Sequence, residues 1–344
     1  MECVVRRNAL RCLSASPQRG DRRAACLHDL PARYKRGIPD REDAMVTRAR
    51  IRFTVLLWLL MPWLACASTA IIYQPQLRDR AVAQAQWTQF FTQLRGQGFD
   101  TLVVQWTEYG DAFSDAEGHV WLLQRVREAR AAGLRIVLGL SSDPAFFQRQ
   151  EASTAALGDY LHTLSRRNDA LAHRWANDLG VEAIGGWYLP VEIDDRRWRD
   201  IAARKPLLDY LASERRQLDR IAQRPIYVTS FFAGNMTPER YAELLDDVQH
   251  TGVRAWVQDG AGTGRLGEGE RKLYLDAVSQ CAAVHANGIV FEIFHQTGED
   301  KAFSAMALPA TEASAALAQR APCGGDSVFF ELRYLPEMTE VMKR

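Results

Sequence analysis

Hydrophobic positions in this chain follow two rhythms that alternate eight times between Ile71 and Phe330. Short β-branched or aromatic runs predict strands at Ala70–Tyr73, Thr101–Trp106, Arg135–Leu140, Glu182–Tyr188, Pro225–Phe231, Arg254–Gln258, Gly288–Phe294 and Ser327–Leu332. Between them, apolar residues recur three and four positions apart. Trp87, Phe90, Phe91 and Leu94 make one such stripe, Leu157, Tyr160, Leu161 and Leu164 a second, and Tyr241, Leu244, Leu245 and Val248 a third. Each stripe can bury one helix face against a sheet. Strands that alternate with helices predict a parallel sheet, and eight repeats predict a closed α/β structure, a single-domain (β/α)8 TIM barrel. Little chain remains after Leu335, so the eighth helix is expected to be short or missing.

Connection lengths point the same way. Helix-to-strand returns are brief, such as Gly133-Leu134 and Thr251-Gly252-Val253, whereas the segments 141–153, 191–200, 259–268 and 295–309 after strands are long. In a parallel barrel the long connections share the C-terminal face, where barrel enzymes build their sites.

The N-terminal part reads differently. From Met45, basic Arg48, Arg50 and Arg52 precede an apolar run at Phe53–Leu60 and the small-residue site Ala65-Cys66-Ala67, the layout of a secretory signal. The run is too short for a membrane span. The expected organisation is an over-extended, disordered N-terminus at 1–44, a signal peptide at 45–67 and the barrel at 68–344, with a disordered basic arm as the other account of 1–44. The expected location is periplasmic or secreted, and a lipoprotein anchored at Cys66 is the alternative. Residues 1–67 hold 13 Lys and Arg against 6 Asp and Glu, which leaves 30 and 36 in residues 68–344, a net charge near −6. Nucleic acid is therefore not an expected partner. Cys281 and Cys323 are the only cysteines after Cys66, too few for a disulfide scaffold or a four-cysteine zinc site. Their positions, late in a helix and just before the last strand, place both near the bottom of the barrel, where an oxidising compartment allows pairing.

The candidate chemistry rests on two carboxylates. Glu192 stands just past the expected fourth strand, and Glu292 lies within Val290-Phe291-Glu292-Ile293 of the seventh. Burying a carboxylate costs hydration and raises its pKa, so such a pair can divide the roles of proton donor and anionic nucleophile. Carboxyls about 5–5.5 Å apart cleave glycosides with retention, and about 6.5–9.5 Å with inversion. Tyr73, Gln105, Trp106, Tyr188, Gln258, Asp259 and His295 fall at or beyond strand ends and are the expected sugar-binding groups, rings for C–H faces and polar tips for hydroxyls. Each has a plainer reading: a strand-end Glu can serve a neighbouring Arg, an aromatic can pack against helices, and Asp259 before Gly260 can form a turn. Gly262-x-Gly264-x-x-Gly267 matches a dinucleotide fingerprint, yet it sits on the sixth repeat with the helix delayed past Gly269, so a lid fits it better. No metal is expected, because no cluster with ligand spacing accompanies His295.

The segments GGWYLPVEIDD, WVQDGAG and VFEIFHQ together resemble the bacterial domain of unknown function 4434 family, whose members look like TIM-barrel glycoside hydrolases. The chain is similar more distantly to the retaining clan of barrel glycosidases with an acid/base Glu after strand four and a nucleophile Glu on strand seven. That resemblance implies Glu192 as acid/base and Glu292 as nucleophile. It departs at Val191, where the clan usually carries an Asn for the sugar 2-hydroxyl. The expected function is an exported glycoside hydrolase acting without cofactor on a cell-envelope or secreted polysaccharide. The alternatives are a noncatalytic glycan-binding barrel serving polysaccharide assembly or export, and a metal-dependent hydrolase using Asp259 and His295.

Overall fold

The computed structural model describes residues 67–298 and 304–342. The expected N-terminal extension and the signal through Cys66 lie outside the described residues. Eight parallel strands close into a barrel: β1 (Thr69–Tyr73), β2 (Thr101–Val104), β3 (Arg135–Gly139), β4 (Ile184–Asp194), β5 (Ile226–Phe231), β6 (Arg254–Gln258), β7 (Gly288–Glu292) and β8 (Asp326–Phe330). Each strand pairs with its neighbours in sequence, and β1 closes on β8 through Thr69↔Ser327, Ala70↔Val328 and Ile71↔Phe329. Helices α1 (Gln84–Gly96), α2 (Ala116–Ala131), α3 (Thr154–Leu179), α4 (Ile201–Ile221), α5 (Pro238–His250), α6 (Glu268–Val278), α7 (Ala310–Leu317) and α8 (Pro336–Met342) follow the strands in turn. The last is a seven-residue helix, as the thin C-terminus predicts. Gly133 takes φ 88° directly after α2, a left-handed return that glycine adopts without steric cost.

Side-chain alternation sorts the barrel into two cores. Ala70, Ile72, Val103, Val137, Tyr188, Tyr227, Trp256, Val290 and Val328 come from all eight strands and form one buried cluster, the filled interior. Tyr227 stacks on Trp256 with ring centroids 4.1 Å apart. The intervening positions, among them Ile71, Tyr73, Val104, Trp187, Phe291 and Phe329, join the helix stripes in a larger outer core. This period of two decides which strand-end residues can reach a central cleft.

Two expectations are corrected. The fourth strand does not begin at Glu182 and end at Tyr188: Val181–Ala183 is a 3₁₀ turn, and β4 runs on to Asp194. Its pairing with β5 shifts register between Tyr188 and Glu192, around Pro190, which cannot donate to a ladder. Glu192 is thus within the strand rather than past it. Cys281 is not in a helix, because α6 stops at Val278 and Cys281 lies between the short paired strands Ser279–Gln280 and Ala283–Val284.

Cys281 and Cys323 form a disulfide with Cα atoms 5.2 Å apart, spanning 42 positions of sequence. Closing a loop of that length removes unfolded-state entropy worth about 4 kcal/mol. Cys281→Ser is therefore expected to lower unfolding free energy by about 2–4 kcal/mol, read as a lower urea midpoint that reductant reproduces in the parent protein.

Candidate active site

Above the filled interior, the C-terminal ends of the strands open into a cleft of about 960 Å³. Its floor follows from the alternation. Ile72 and Gln74 on the β1 side, Gln105 beyond β2, Glu192 on β4, Thr229 and Phe231 on β5, Gln258 on β6, Val290 and Glu292 on β7 and Phe330 on β8 all line it. Both candidate carboxylates therefore face one hollow, from strands separated by β5 and β6.

Their surroundings differ in a chemically useful way. Glu292 is 4% exposed, and its Oε2 accepts hydrogen bonds from the backbone N–H of Gly262 at 2.7 Å and of Thr263 at 3.1 Å. Burial pushes its carboxyl up to about 7, Asp259 pushes the same way, and the two amides and Arg271 oppose. The glycine-rich loop thus spends its amides on a side chain of its own barrel, which accounts for the decoy fingerprint. A Cβ on Gly262 would stand 2.5 Å from the Phe294 carbonyl oxygen, so glycine is required for that approach. The Glu192 side chain is partly exposed to the cleft and its carboxyl makes no hydrogen bond among the described residues. Burial first, and the negative charge of Asp194 second, raise it to about 7. The anchored group is favoured as the anion, since hydrogen bonds to a carboxylate stabilise its charge, and the unpartnered one as the acid.

The other expected site residues divide by geometry. Gln105, Trp106 and Gln258 line the cleft. Trp106 packs on Tyr109 with centroids 4.8 Å apart and donates from Nε1 to the Pro75 carbonyl at 3.1 Å. Tyr73 is not a cleft residue: its parity turns it outward, where its hydroxyl donates to Asp79 Oδ2 at 2.9 Å. Tyr188 has the inward parity but sits one layer too deep, fully buried in the interior with its hydroxyl 2.8 Å from Thr229 Oγ1. Asp259 falls between the inward positions Gln258 and Gly260, and its Oδ1 accepts from the backbone N–H of Ala261 and Glu292. It shapes the turn behind Glu292, and burial raises it to about 6. His295 is exposed on a short strand paired to Ala305–Ala307, with Nε2 2.9 Å from Glu312 Oε2. Asp259 and His295 therefore do not converge as metal ligands, and no group of three or more ligating side chains occurs among the described residues.

Sequence reasoning missed residues carried by the long loops. Tyr109 and Phe147 line the cleft and are 40% and 48% exposed, and Phe147 meets Phe231 edge-to-face at 6.4 Å. Asp194, hidden in a strand read as too short, accepts from the backbone N–H of Arg196 and Arg197 at 2.8 and 2.5 Å and from Gln150 Nε2 at 2.9 Å. The acidic run Glu192-x-Asp194-Asp195 was its visible trace in sequence.

A sequence profile described as "Domain of unknown function (DUF4434)" matches residues 69–339. The chain is 44% identical over 285 residues to the uncharacterized protein YbcH of Escherichia coli (strain K12), covering 83% of this chain and 96% of that one. Among solved structures, the intracellular xylanase TsXylA of Thermoanaerobacterium saccharolyticum is similar at 12% identity and a TM-score of 0.47, over 78% of this chain and 86% of that one. A D-allulose 3-epimerase from Methylomonas sp. is similar at 11% identity and a TM-score of 0.43, over 80% and 90%. No helix among the described residues is long and apolar enough to cross a membrane.

Proposed function

Because the chain belongs to the DUF4434 family, whose function its description leaves open, the activity has to be read from the cleft, and we propose an exported glycoside hydrolase of two-carboxylate, retaining mechanism. The observation that carries this reading is that Glu192 and Glu292 line one cleft on the C-terminal face, each held near 7 and each in a different hydrogen-bonding state. In the first step Glu292 attacks the anomeric carbon while Glu192 gives its proton to the departing glycosidic oxygen. A glycosyl ester on Glu292 and a free alcohol result. In the second step Glu192 takes a proton from water, the hydroxyl displaces Glu292 from the anomeric carbon, and both carboxyls return to their starting states. The exposed rings of Tyr109 and Phe147, on the neighbouring loops after β2 and β3, suit the C–H faces of sugar rings. The substrate class is a cell-envelope or secreted polysaccharide. An exposed disulfide persists in an oxidising compartment, which supports a periplasmic or secreted location.

The testing experiment is a screen of the purified protein against a polysaccharide panel, scored by new reducing ends. Release of reducing ends from none of them would sink the hydrolase. A positive result sets up the pH profile. The acid must hold its proton and the nucleophile must lack one, so kcat/KM is expected to be bell-shaped with both limbs near neutrality, the pair titrating together. Glu192→Gln keeps the shape of the acid but cannot release a proton, so turnover should fall by about 10²–10⁴-fold. On a substrate whose leaving group needs no protonation, such as an activated aryl glycoside, the first step should survive. Equal loss on both substrate types would remove Glu192 from the acid role.

A further inference from the structure

Both hydrogen bonds to the Glu292 carboxyl go to one oxygen. Gly262 and Thr263 each donate a backbone N–H to Oε2, at 2.7 and 3.1 Å. Oε1 accepts none among the described residues, and it is not one of the buried side-chain atoms left without a partner, so it keeps accessible surface. The space that Glu292 borders is the cleft. One carboxyl oxygen is therefore held by the loop and the other is open.

The donors are themselves fixed. The Gly262 carbonyl accepts from the Gln296 N–H at 2.8 Å, and Thr263 Oγ1 donates to the Gly260 carbonyl at 3.3 Å. Asp259 Oδ1 accepts from the Ala261 N–H at 3.0 Å and from the Glu292 N–H at 3.3 Å, so one side chain ties the loop to the strand that carries the carboxyl. Donors held in this way need no reorganisation when charge develops beside them. In a two-step displacement the charge on Glu292 changes twice. When Oε1 bonds to the anomeric carbon, Oε2 becomes the carbonyl oxygen of a neutral ester. When water breaks that bond, the electron pair returns to the carboxyl and both oxygens share the charge. A hydrogen bond to a charged acceptor is roughly twice as strong as one to a neutral acceptor, so two donors on Oε2 favour departure of the carboxylate.

We infer that the Gly262 and Thr263 amides form a two-donor cradle that reserves Oε1 for attack on the anomeric carbon and stabilises the Glu292 carboxylate as it leaves in the second step. This rests on the hydrolase reading and deepens it, by assigning the attacking oxygen and the groups that speed hydrolysis of the glycosyl ester. The bonds balance. Oε1 joins the anomeric carbon as the glycosidic bond breaks and Glu192 gives its proton to the departing oxygen. Water then bonds to the anomeric carbon, the bond to Oε1 breaks, and Glu192 takes the proton of water.

The test follows dinitrophenol release by the full chain at pH 8 from dinitrophenyl cellobioside, xylobioside, mannobioside and chitobioside. This leaving group needs no acid, so the first phase reports formation of the ester and the second its hydrolysis. Thr263→Pro deletes one donor. Among the described non-glycine residues only Phe113 and Cys323 take positive φ, so Thr263 has a φ of the sign that proline requires. An ester link in place of the amide at residue 263, introduced as the α-hydroxy acid of threonine, deletes the same N–H and keeps the side chain, and it decides the matter if the proline variant does not fold. Both changes should slow the second phase by about ten- to a hundredfold, with the first phase far less affected. The peptide bearing Glu292 should then accumulate a sugar adduct, read by mass spectrometry. A packing defect would slow both phases together and accumulate no adduct. Equal slowing of both phases, or an unchanged second phase, in the ester-linked protein overturns the inference. The two readings fail separately. An unchanged second phase with the adduct still formed on Glu292 keeps the hydrolase and removes the cradle. Release from none of the four glycosides overturns the inference, and the hydrolase falls with it if the polysaccharide panel is also left uncut.

Discussion

Glu292→Gln is expected to lower turnover by about 10³-fold or more while leaving the protein folded and, at pH 8, more stable than the parent. The carboxamide oxygen can take over the hydrogen bonds from the Gly262 and Thr263 amides, so the loop stays in place. What is lost is the nucleophile, since an amide does not form the glycosyl ester. The stability gain follows from linkage. The folded carboxyl is held near 7 against an ordinary value of 4.5, so between those values the native state binds more protons than the unfolded one. Stability from this group is complete below about 4.5 and is lost as pH rises through about 7. The glutamine carries no such cost, so its melting temperature should match the parent's at pH 5 and exceed it by about 2–6 °C at pH 8. Turnover and melting curves across pH 5–8 check both halves. Unchanged turnover refutes the assignment, and a lower melting temperature at pH 8 refutes the account of why Glu292 is raised.

Much of the fold was legible, for a physical reason. A (β/α)8 barrel demands the same hydrophobic rhythm eight times, and repetition makes each strand easier to see. The expected β6 matches the observed Arg254–Gln258, whereas the expected fourth strand, Glu182–Tyr188, stops short of Pro190. The structure shows it at a register shift within a continuing strand. The cleft was only partly legible. Proximity to a strand end suggested Tyr73, Tyr188 and Asp259, but a side chain reaches the cleft only if its parity is inward and its layer is the top one. Tyr73 and Asp259 fail the first condition, and Tyr188 fails the second. Parity could have been counted from Glu292 backwards through Val290. Depth could not, since the staggered register that fixes the layers appears only when the barrel closes.

The second large effect concerns stability. Behind β1 and β8, Arg333 joins two buried acids: its Nε bonds Glu331 Oε1 at 3.0 Å, and its guanidinium lies 3.3 Å from Asp79 Oδ2. Asp79 and Glu331 are each 1% exposed and Arg333 8%. Arg333→Met fills similar space but leaves two acids without their cation, which is expected to cost about 3–5 kcal/mol. Burial already raises Glu331 to about 7 despite the attraction of Arg333, and removing that attraction raises it further. The contribution of Glu331 is therefore lost over a wider pH range, and the cost of Arg333→Met should be larger at pH 8 than at pH 5. A plain packing defect would show no such pH dependence. Adding Glu331→Gln to Arg333→Met removes one stranded charge, so urea unfolding at pH 8 should show part of the loss restored, and a further loss would contradict the electrostatic origin. The network also reaches the cleft, because Glu331 Oε2 accepts from the Gln74 N–H at 3.1 Å and Arg333 donates to the Gln74 carbonyl at 3.2 Å. Gln74 lines the floor, so the ion cluster sets the backbone of one wall of the site. The double variant, though partly restabilised, is accordingly expected to keep a raised KM on any substrate that the parent cleaves.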